Sequence, residues 1–417
     1  MLKAAVVLRK IKDTDLKTNL KQLKEKIIET ILMLSGAATS ITVVLIVFFL
    51  FIEGAGVFNR KPIDDGFILA VNATNQVKGL HPSQIKDIFD KKITNWNQVG
   101  GDDRPIVLFR TSDITDYYTE EELGPDFEYF PEKINELIQK QPGIIAFFSD
   151  KYKSDQFVGK ELDIDKIKVW EFLSGEEWFP TAQPIAQMGV KPLIYGTLWV
   201  SFGAILLALP IGLAAAIYLS EIATKRTRSL LKPLIELLAG IPSVVYGFFG
   251  LVVIVPLIQS TFNLPVGETA LAGSVVLAIM ALPTIITISE DAMRNTPRAM
   301  KEASLALGAS KWQTIYKVVM PYSASGITAG AILGIGRAIG ETMAVLMVTG
   351  NAAVIPHTLL APVRTIPATI AAELGEAPNG GLHYEALFAL GCILFLITFG
   401  INMLVELVTN RKSHKKH

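Results

Sequence analysis

Long apolar runs alternate with polar stretches along this chain, and their lengths set the architecture. Ile31 to Ile52 is an apolar run without a charged residue, of the length a bilayer core demands, about 20 residues. Similar runs cover Pro192 to Leu219, Pro233 to Ile258, Thr269 to Ile288, Ile327 to Val348 and Ala386 to Val408. Each predicts a membrane-spanning helix, six with the first. A signal peptide competes for the first run, but its apolar core would be shorter and a small-residue cleavage site should follow. Glu53-Gly54-Ala55-Gly56 matches such a site poorly, so the run reads as a retained span.

The pattern changes over 54–188. Polar turns, single prolines and short apolar runs such as Ile68 to Val71 and Ile106 to Phe109 predict a small α/β module. Ser83 to Phe89 reads as a short helix opened by Ser83 or Pro82. Ahead of the first span, Leu16, Leu20, Leu23 and Ile27 have the spacing of an amphipathic helix within a lysine-rich segment. The organisation expected is a basic segment 1–28, a span 29–53, the module 54–188, a membrane domain 189–410 and a basic tail 411–417.

Composition agrees with a membrane protein: 50% of the 417 residues are hydrophobic and 19% are charged. The net charge is zero, so bulk charge calls for no nucleic-acid partner. The single cysteine, Cys392, excludes an internal disulfide and a thiolate-built metal site. His81, His357, His383, His414 and His417 are scattered without metal-ligand spacing, and acidic pairs such as Asp102 and Asp103 sit in polar runs, so an enzyme is the weakest reading. Basic residues orient the spans. Lys225, Arg226, Arg228 and Lys232 crowd one loop, Arg294, Arg298, Lys301, Lys311 and Lys317 another, and Arg411, Lys412, Lys415 and Lys416 the tail. The intervening loops, Gln259 to Glu268 and Gly350 to Glu385, hold only Arg364. Both termini are therefore expected in the cytoplasm and the module outside.

Three clusters carry candidate chemistry. In the first, at about 291–325, Glu302-Ala303-Ser304 is followed after three residues by Gly308, then after nine by Val318-Val319-Met320-Pro321. A short helix with small residues can seat in a groove of another protein; Glu302 can pair with a basic group there, Gly308 lets the chain turn, and Pro321 separates this helix from the next span. An ordinary basic loop is the alternative. In the second, Arg337 and Glu341 are spaced i, i+4 inside an apolar run, which places them on one side of one helix. A lone charge at mid-bilayer costs at least about 2.5–3.5 kcal/mol. The two either neutralise each other or line a path for an anion, to which a guanidinium offers a planar donor fork. Gly330, Gly334, Gly336 and Gly340 leave room for close packing or a cavity. In the third, Gly240, Pro242 and Gly247 break regular helix around Ser243 and Tyr246, either as a plain kink or where backbone lines a cavity.

The first cluster resembles the EAA coupling loop of ABC-importer permeases, with Ser304, Val318 and Met320 as mild departures. From about Trp178 onward the chain resembles the phosphate ABC-transporter permease family, the PstC type more than its PstA sister. The carrying segments are FLSGEEWFPT, GTLWVSF, PIGLAAAIYLSE, LLAGIPSVVYGFFG and GIGRAIGETMAV. The resemblance implies a mainly α membrane protein, with six transmembrane helices of the type I ABC importer permease fold and an extracytoplasmic α/β insertion after the first. It implies a permease subunit moving inorganic phosphate, driven by partner ATPases. The implied partners are ATP-binding cassette subunits, a second permease of PstA type, an extracytoplasmic phosphate-binding protein and membrane lipid. No cofactor is expected on this chain, ATP and magnesium belonging to partner subunits, since no G-x-x-x-x-G-K-[ST] occurs. Glu302, Ala303, Gly308 and Pro321 fall on the family's ATPase-coupling positions, and Arg337 and Glu341 on its transport-critical charged pair, with Ser243 and Tyr246 as further path residues.

The insertion, from VNATNQVKGLHPSQIKDIF to FRTSD and again at QPGIIAFFSD, is similar to part of a phosphate-binding protein. That family's anion loop would continue from Arg110 with Ser-Gly-Thr; here it reads Thr111-Ser112-Asp113, so Arg110, Thr111 and Ser112 mark a vestigial anion site. The segment is about one lobe and is expected to help dock or replace part of a binding protein rather than to bind phosphate alone. The alternatives are a permease for another oxyanion, such as sulfate, tungstate or phosphonate, and a membrane sensor with an external ligand-binding lobe. A sensor needs no seat for an ATPase.

Overall fold

The computed structural model describes the backbone of residues 2–414 and the side chains of residues 24–407. The amphipathic spacing of Leu16, Leu20 and Leu23 and the basic tail 411–417 thus lie outside the described side chains. The chain divides into two units, Met1–Glu53 and Gly54–His417.

Helix α1 (Leu2–Gly56) is continuous, and its apolar span is Lys24–Asn59. The α/β module follows with β1 (Phe67–Val71), β2 (Gly79–Leu80), α2 (Pro82–Phe89), β3 (Val107–Arg110), α3 (Glu120–Leu123), α4 (Phe130–Lys140), β4 (Ile144–Ser149), β5 (Lys160–Glu161), β6 (Asp163–Ile164), α5 (Val169–Ser174), β7 (Trp178–Phe179) and β8 (Gln187–Met188). Its main sheet runs β3-β4-β1-β5, with β4 antiparallel to β1 and parallel to β3. The register pairs Phe67 with Ser149 and Val71 with Ile145.

Both faces of this sheet are covered, which explains the unbroken apolar run Ile144 to Phe148. Leu69, Val71, Ile145 and Phe147 pack with Ile85, Ile88 and Trp96 on one side. Ala70, Ile144, Ala146 and Phe148 pack with Ile134 and Ile138 of α4 on the other. Helix α2 begins at Pro82 as expected, but its cap is His81, whose ring accepts from the Ser83 amide. The β7–β8 hairpin then leads directly into the membrane domain.

The membrane domain contains α6 (Lys191–Ile217), α7 (Lys225–Ala239), α8 (Ser243–Phe249), α9 (Val255–Phe262), α10 (Ala270–Arg294), α11 (Arg298–Ala306), α12 (Lys311–Thr314), α13 (Met320–Tyr322), α14 (Ala324–Gly340), α15 (Met343–Val348), α16 (Ile366–Glu373) and α17 (Leu382–His414). Among the described residues five helices are long and apolar enough to span a bilayer, and six if the bent pair Lys311–Tyr322 and Ala324–Gly340 counts as one. Helix α10 forms the centre, packed along α6 and α14. Small residues set these contacts: a Cβ on Gly212 would lie 2.8 Å from Ile285, and one on Gly334 2.7 Å from it.

Two expected spans are redrawn. The run Pro233 to Ile258 is not one helix: α7 stops at Ala239, and the span is Ser243–Phe262. Pro242, held at φ −60° and ψ 143°, is extended and restarts the helix. The run Ile327 to Val348 is also divided: α14 ends at Gly340, and Glu341 at φ −72°, ψ 134° separates it from α15. The expected loop 350–385 holds α16.

Candidate functional site

The sequence elements expected to couple and conduct meet around α11 to α15. Helix α11 buries none of its residues. Glu302 and Ala303 are exposed, as are Leu305, Leu307, Trp312 and Tyr316, with Leu307 at 89%. The helix ends in a Schellman motif: the Gly308 amide donates to the Leu305 carbonyl at 3.0 Å and the Ala309 amide to the Ser304 carbonyl at 3.2 Å. Gly308 stands at φ +85°, the left-handed conformation that glycine adopts most readily, so the expected turn is present. Lys301 anchors α11 to the end of α6 by an ion pair with Glu221 at 2.6 Å, and Ser304 meets the Thr314 hydroxyl at 3.0 Å. Pro321 lies two residues before the 71° bend that turns this segment into α14.

Arg337 and Glu341 do not share a helix face. Arg337 is in the last turn of α14, whereas Glu341 is the extended residue beyond it and accepts the Ala344 amide at 3.5 Å, at the start of α15. The i, i+4 geometry expected from their spacing requires continuous helix, and the break removes it. Both side chains are half-buried, and no ion pair joins them among the described residues. The glycines divide their labour. Gly330 and Gly334 press α14 onto α10, whereas a Cβ on Gly336 or Gly340 would meet nothing within 4 Å. Arg337 thus sits between two positions that leave open space.

Helix α8 completes this region. A Cβ on Gly247 would lie 2.8 Å from the Met347 sulfur and 3.0 Å from the Ala344 Cα, so α8 lies directly against α15. Tyr246 is buried and donates its hydroxyl to the Leu238 carbonyl at 2.8 Å. That bond ties α8 back across the Gly240–Pro242 break to α7. Ser243 begins α8 and is half-buried. Tyr246 packs in one cluster with Ala338, the neighbour of Arg337, and with Ala344 and Val345 of α15, so the helix ends at Pro242 and Glu341 flank a shared apolar contact.

The segment Arg110, Thr111 and Ser112 is elsewhere, on the α/β module. Two of its donors are taken by its own carboxylate, the Arg110 amide donating to Asp113 Oδ2 at 2.9 Å and the Ser112 hydroxyl to Asp113 Oδ1 at 3.0 Å, while the Thr111 hydroxyl is buried without a partner. The Arg110 guanidinium lies over the Phe89 ring, 5.3 Å from its centroid.

Two charged hubs were not anticipated. Glu290 is 1% exposed and takes Arg228 at 2.6 Å and Lys232 at 2.8 Å, while Lys232 also reaches Asp291 at 2.7 Å. These pairs pin α7 to α10. The signal available was an i, i+4 pair of cations, Arg228 and Lys232, ahead of a span that ends in adjacent carboxylates. Glu373 accepts from Trp178 Nε1 at 3.1 Å and from His383 Nε2 at 2.8 Å, and forms an ion pair with Arg364 at 2.6 Å. Burial alone would raise its carboxyl, but the His383 hydrogen bond, the Arg364 charge and the Trp178 indole more than offset that and hold it below the usual range. Its partners come from three separated segments, so spacing carries no trace of it.

Residues 208–414 match the model of a family described as a binding-protein-dependent transport system inner membrane component. A Bacillus subtilis protein named a probable ABC transporter permease protein, YqgH, is 40% identical over 242 residues, 58% of this chain and 78% of the relative. The chain belongs to this permease family. A permease named phosphate transport system permease protein PstC, from Mesorhizobium japonicum, is 41% identical over 249 residues, 55% of this chain and 75% of the relative. Residues 52–197 of the permease match a second model, the PBP superfamily domain. A solved phosphate ABC transporter substrate-binding protein from Clostridium perfringens is 30% identical, with a TM-score of 0.19, over 26% of this chain and 49% of that one.

Proposed function

We propose that this permease translocates inorganic phosphate into the cell, driven by ATP hydrolysis in partner ATP-binding cassette subunits. The observation that carries the coupling part is the uncovered helix α11. It offers exposed apolar side chains and Glu302 on a segment that bends straight into the helix bearing Arg337. Such a seat suits a second protein, and movement of it is passed to α14 through the 71° bend. In this reading Glu302, Ala303, Gly308 and Pro321 form the ATPase seat, while Arg337, Glu341, Ser243 and Tyr246 line the substrate path. Phosphate is favoured by the relatives named for its transport.

The same reading places both termini in the cytoplasm, on the strength of the basic loops, and the α/β module outside. A second permease subunit of PstA type, an extracytoplasmic phosphate-binding protein and membrane lipid complete the assembly. ATP and magnesium are held by the ATPase, not by this chain. The module serves to dock or replace part of a binding protein: Asp113 accepts from the Arg110 amide and the Ser112 hydroxyl, and its charge opposes an anion there.

Uptake of radiolabelled phosphate and sulfate by vesicles containing the reconstituted transporter tests the proposal. ATP-dependent phosphate uptake with sulfate at background supports it. Sulfate uptake without phosphate uptake assigns the path to another oxyanion, and purification without any ATPase overturns the coupling role.

A further inference from the structure

The α/β module rests on the membrane domain through an apolar cluster that both supply. Phe172 of α5 and Trp178 of β7, each 1% exposed, pack with Val57, Leu193, Leu382 and Ala386. Of these, Leu193, Leu382 and Ala386 lie at the ends of two spans, Lys191–Ile222 and Leu382–Leu407. Helix α5 is therefore held at the level where the spans leave the bilayer.

The directions around α5 are fixed by its contacts. Phe172 and Leu173 turn to the span ends, and the Phe172 ring meets Phe58 edge-on at 5.5 Å. Glu171 turns the other way, into the module, where its Oε1 lies 3.1 Å from His81 Nε2. Trp170 points sideways between these two directions and is 75% exposed, with Val169 beside it at 54%. Phe179, next to Trp178 on the hairpin, is also uncovered. Tyr195, one turn into α6, is exposed and heads an uncovered apolar stripe that continues through Leu198, Phe202 and Leu206 on the same helix face. That stripe has the apolar composition of a surface inside the bilayer, and it starts near the Leu193 end of α6 that packs with α5. Lys166 and Lys168, both exposed, bracket the buried Ile167 of the same cluster, and Lys168 Nζ lies 3.6 Å from Glu171 Oε1.

Tryptophan, with its apolar body and single donor, favours the boundary between hydrocarbon and water, and lysine stems reach from there to phosphate headgroups. We propose that the Val169–Trp170 face of α5, together with Phe179 and Lys166, is an interfacial anchor seated among the lipid headgroups on the module's side of the bilayer. The anchor makes lipid a second support for the module and fixes its height above the membrane.

Spin labels placed by Trp170→Cys and Phe179→Cys, in a Cys392→Ala background of the full chain in lipid nanodiscs, decide this. Phe127→Cys, an exposed ring packed on the module's α4 side, is the aqueous reference. Collision rates are read with molecular oxygen, which concentrates in lipid, and with a water-soluble nickel chelate. The oxygen-to-nickel ratio at 170 and 179 is expected to exceed that at 127 several-fold. A ratio equal to that at 127 overturns the anchor. Exclusion of both reagents from 170 and 179 also overturns it, because another protein then covers the face.

Discussion

Arg337 and Glu341 lie four residues apart on either side of a helix end: the arginine is in the last turn of α14, and the carboxylate caps the first turn of α15. The cation is thus not cancelled by the neighbour that sequence spacing assigns to it. Replacing Arg337 with Leu is expected to reduce phosphate uptake to background while subunit association is unchanged. Uptake at the wild-type rate would remove Arg337 from the anion path.

Glu341 has a second duty that can be separated from charge. Glu341→Gln keeps an oxygen for the Ala344 amide, whereas Glu341→Ala removes it. Loss of a helix cap costs about 1 kcal/mol. Thermal unfolding of the purified chain should therefore show Glu341→Ala less stable than Glu341→Gln, and equal melting temperatures would contradict the capping role.

Gly308 isolates a backbone effect. A Cβ there would meet nothing within 4 Å, yet φ is +85°, so Gly308→Ala should cost about 1–2 kcal/mol through conformation alone. The variant is expected to remain folded, since α11 buries no residue, but to retain less ATPase on co-purification. Full ATPase retention would count against the seat on α11.

Glu290 is a stronger test of packing. Its removal leaves Arg228 without its partner and Lys232 with Asp291 alone. Breaking a buried pair in this way costs about 3–5 kcal/mol. Glu290→Ala should lower the melting temperature sharply, and Glu290→Leu combined with Arg228→Met should recover part of the loss. A Glu290→Ala protein that melts normally would show that α7 is held by other contacts.

The Glu373 hub predicts a pH dependence. A carboxyl held below its ordinary value stabilises the fold above the ordinary carboxylate range and loses that contribution as pH falls through its depressed value. The attachment of Trp178 to α16 should therefore weaken only in acid. The protection factor of the β7–β8 hairpin amides, which is exchange corrected for its intrinsic pH dependence, is expected to be flat from neutral pH down into the carboxylate range and to fall below it. Glu373→Gln should show low protection at neutral pH and no acid step of its own.

The apolar run lengths in the sequence were enough to establish a multi-pass membrane protein with one polar module, because burying about 20 residues in hydrocarbon is a local requirement. Gly308 was legible for the same reason: a left-handed turn acts on one residue. The break at Pro242 was legible too, since proline disrupts helix locally. Tertiary structure alone decided the break at Glu341, inside a run whose hydropathy is continuous. It alone joined Glu290 to Arg228 and Glu373 to Trp178, and it closed Asp113 over its own loop. Hydropathy and spacing record what each segment needs from its solvent, whereas partners of a buried charge come from wherever packing brings a donor within about 3 Å.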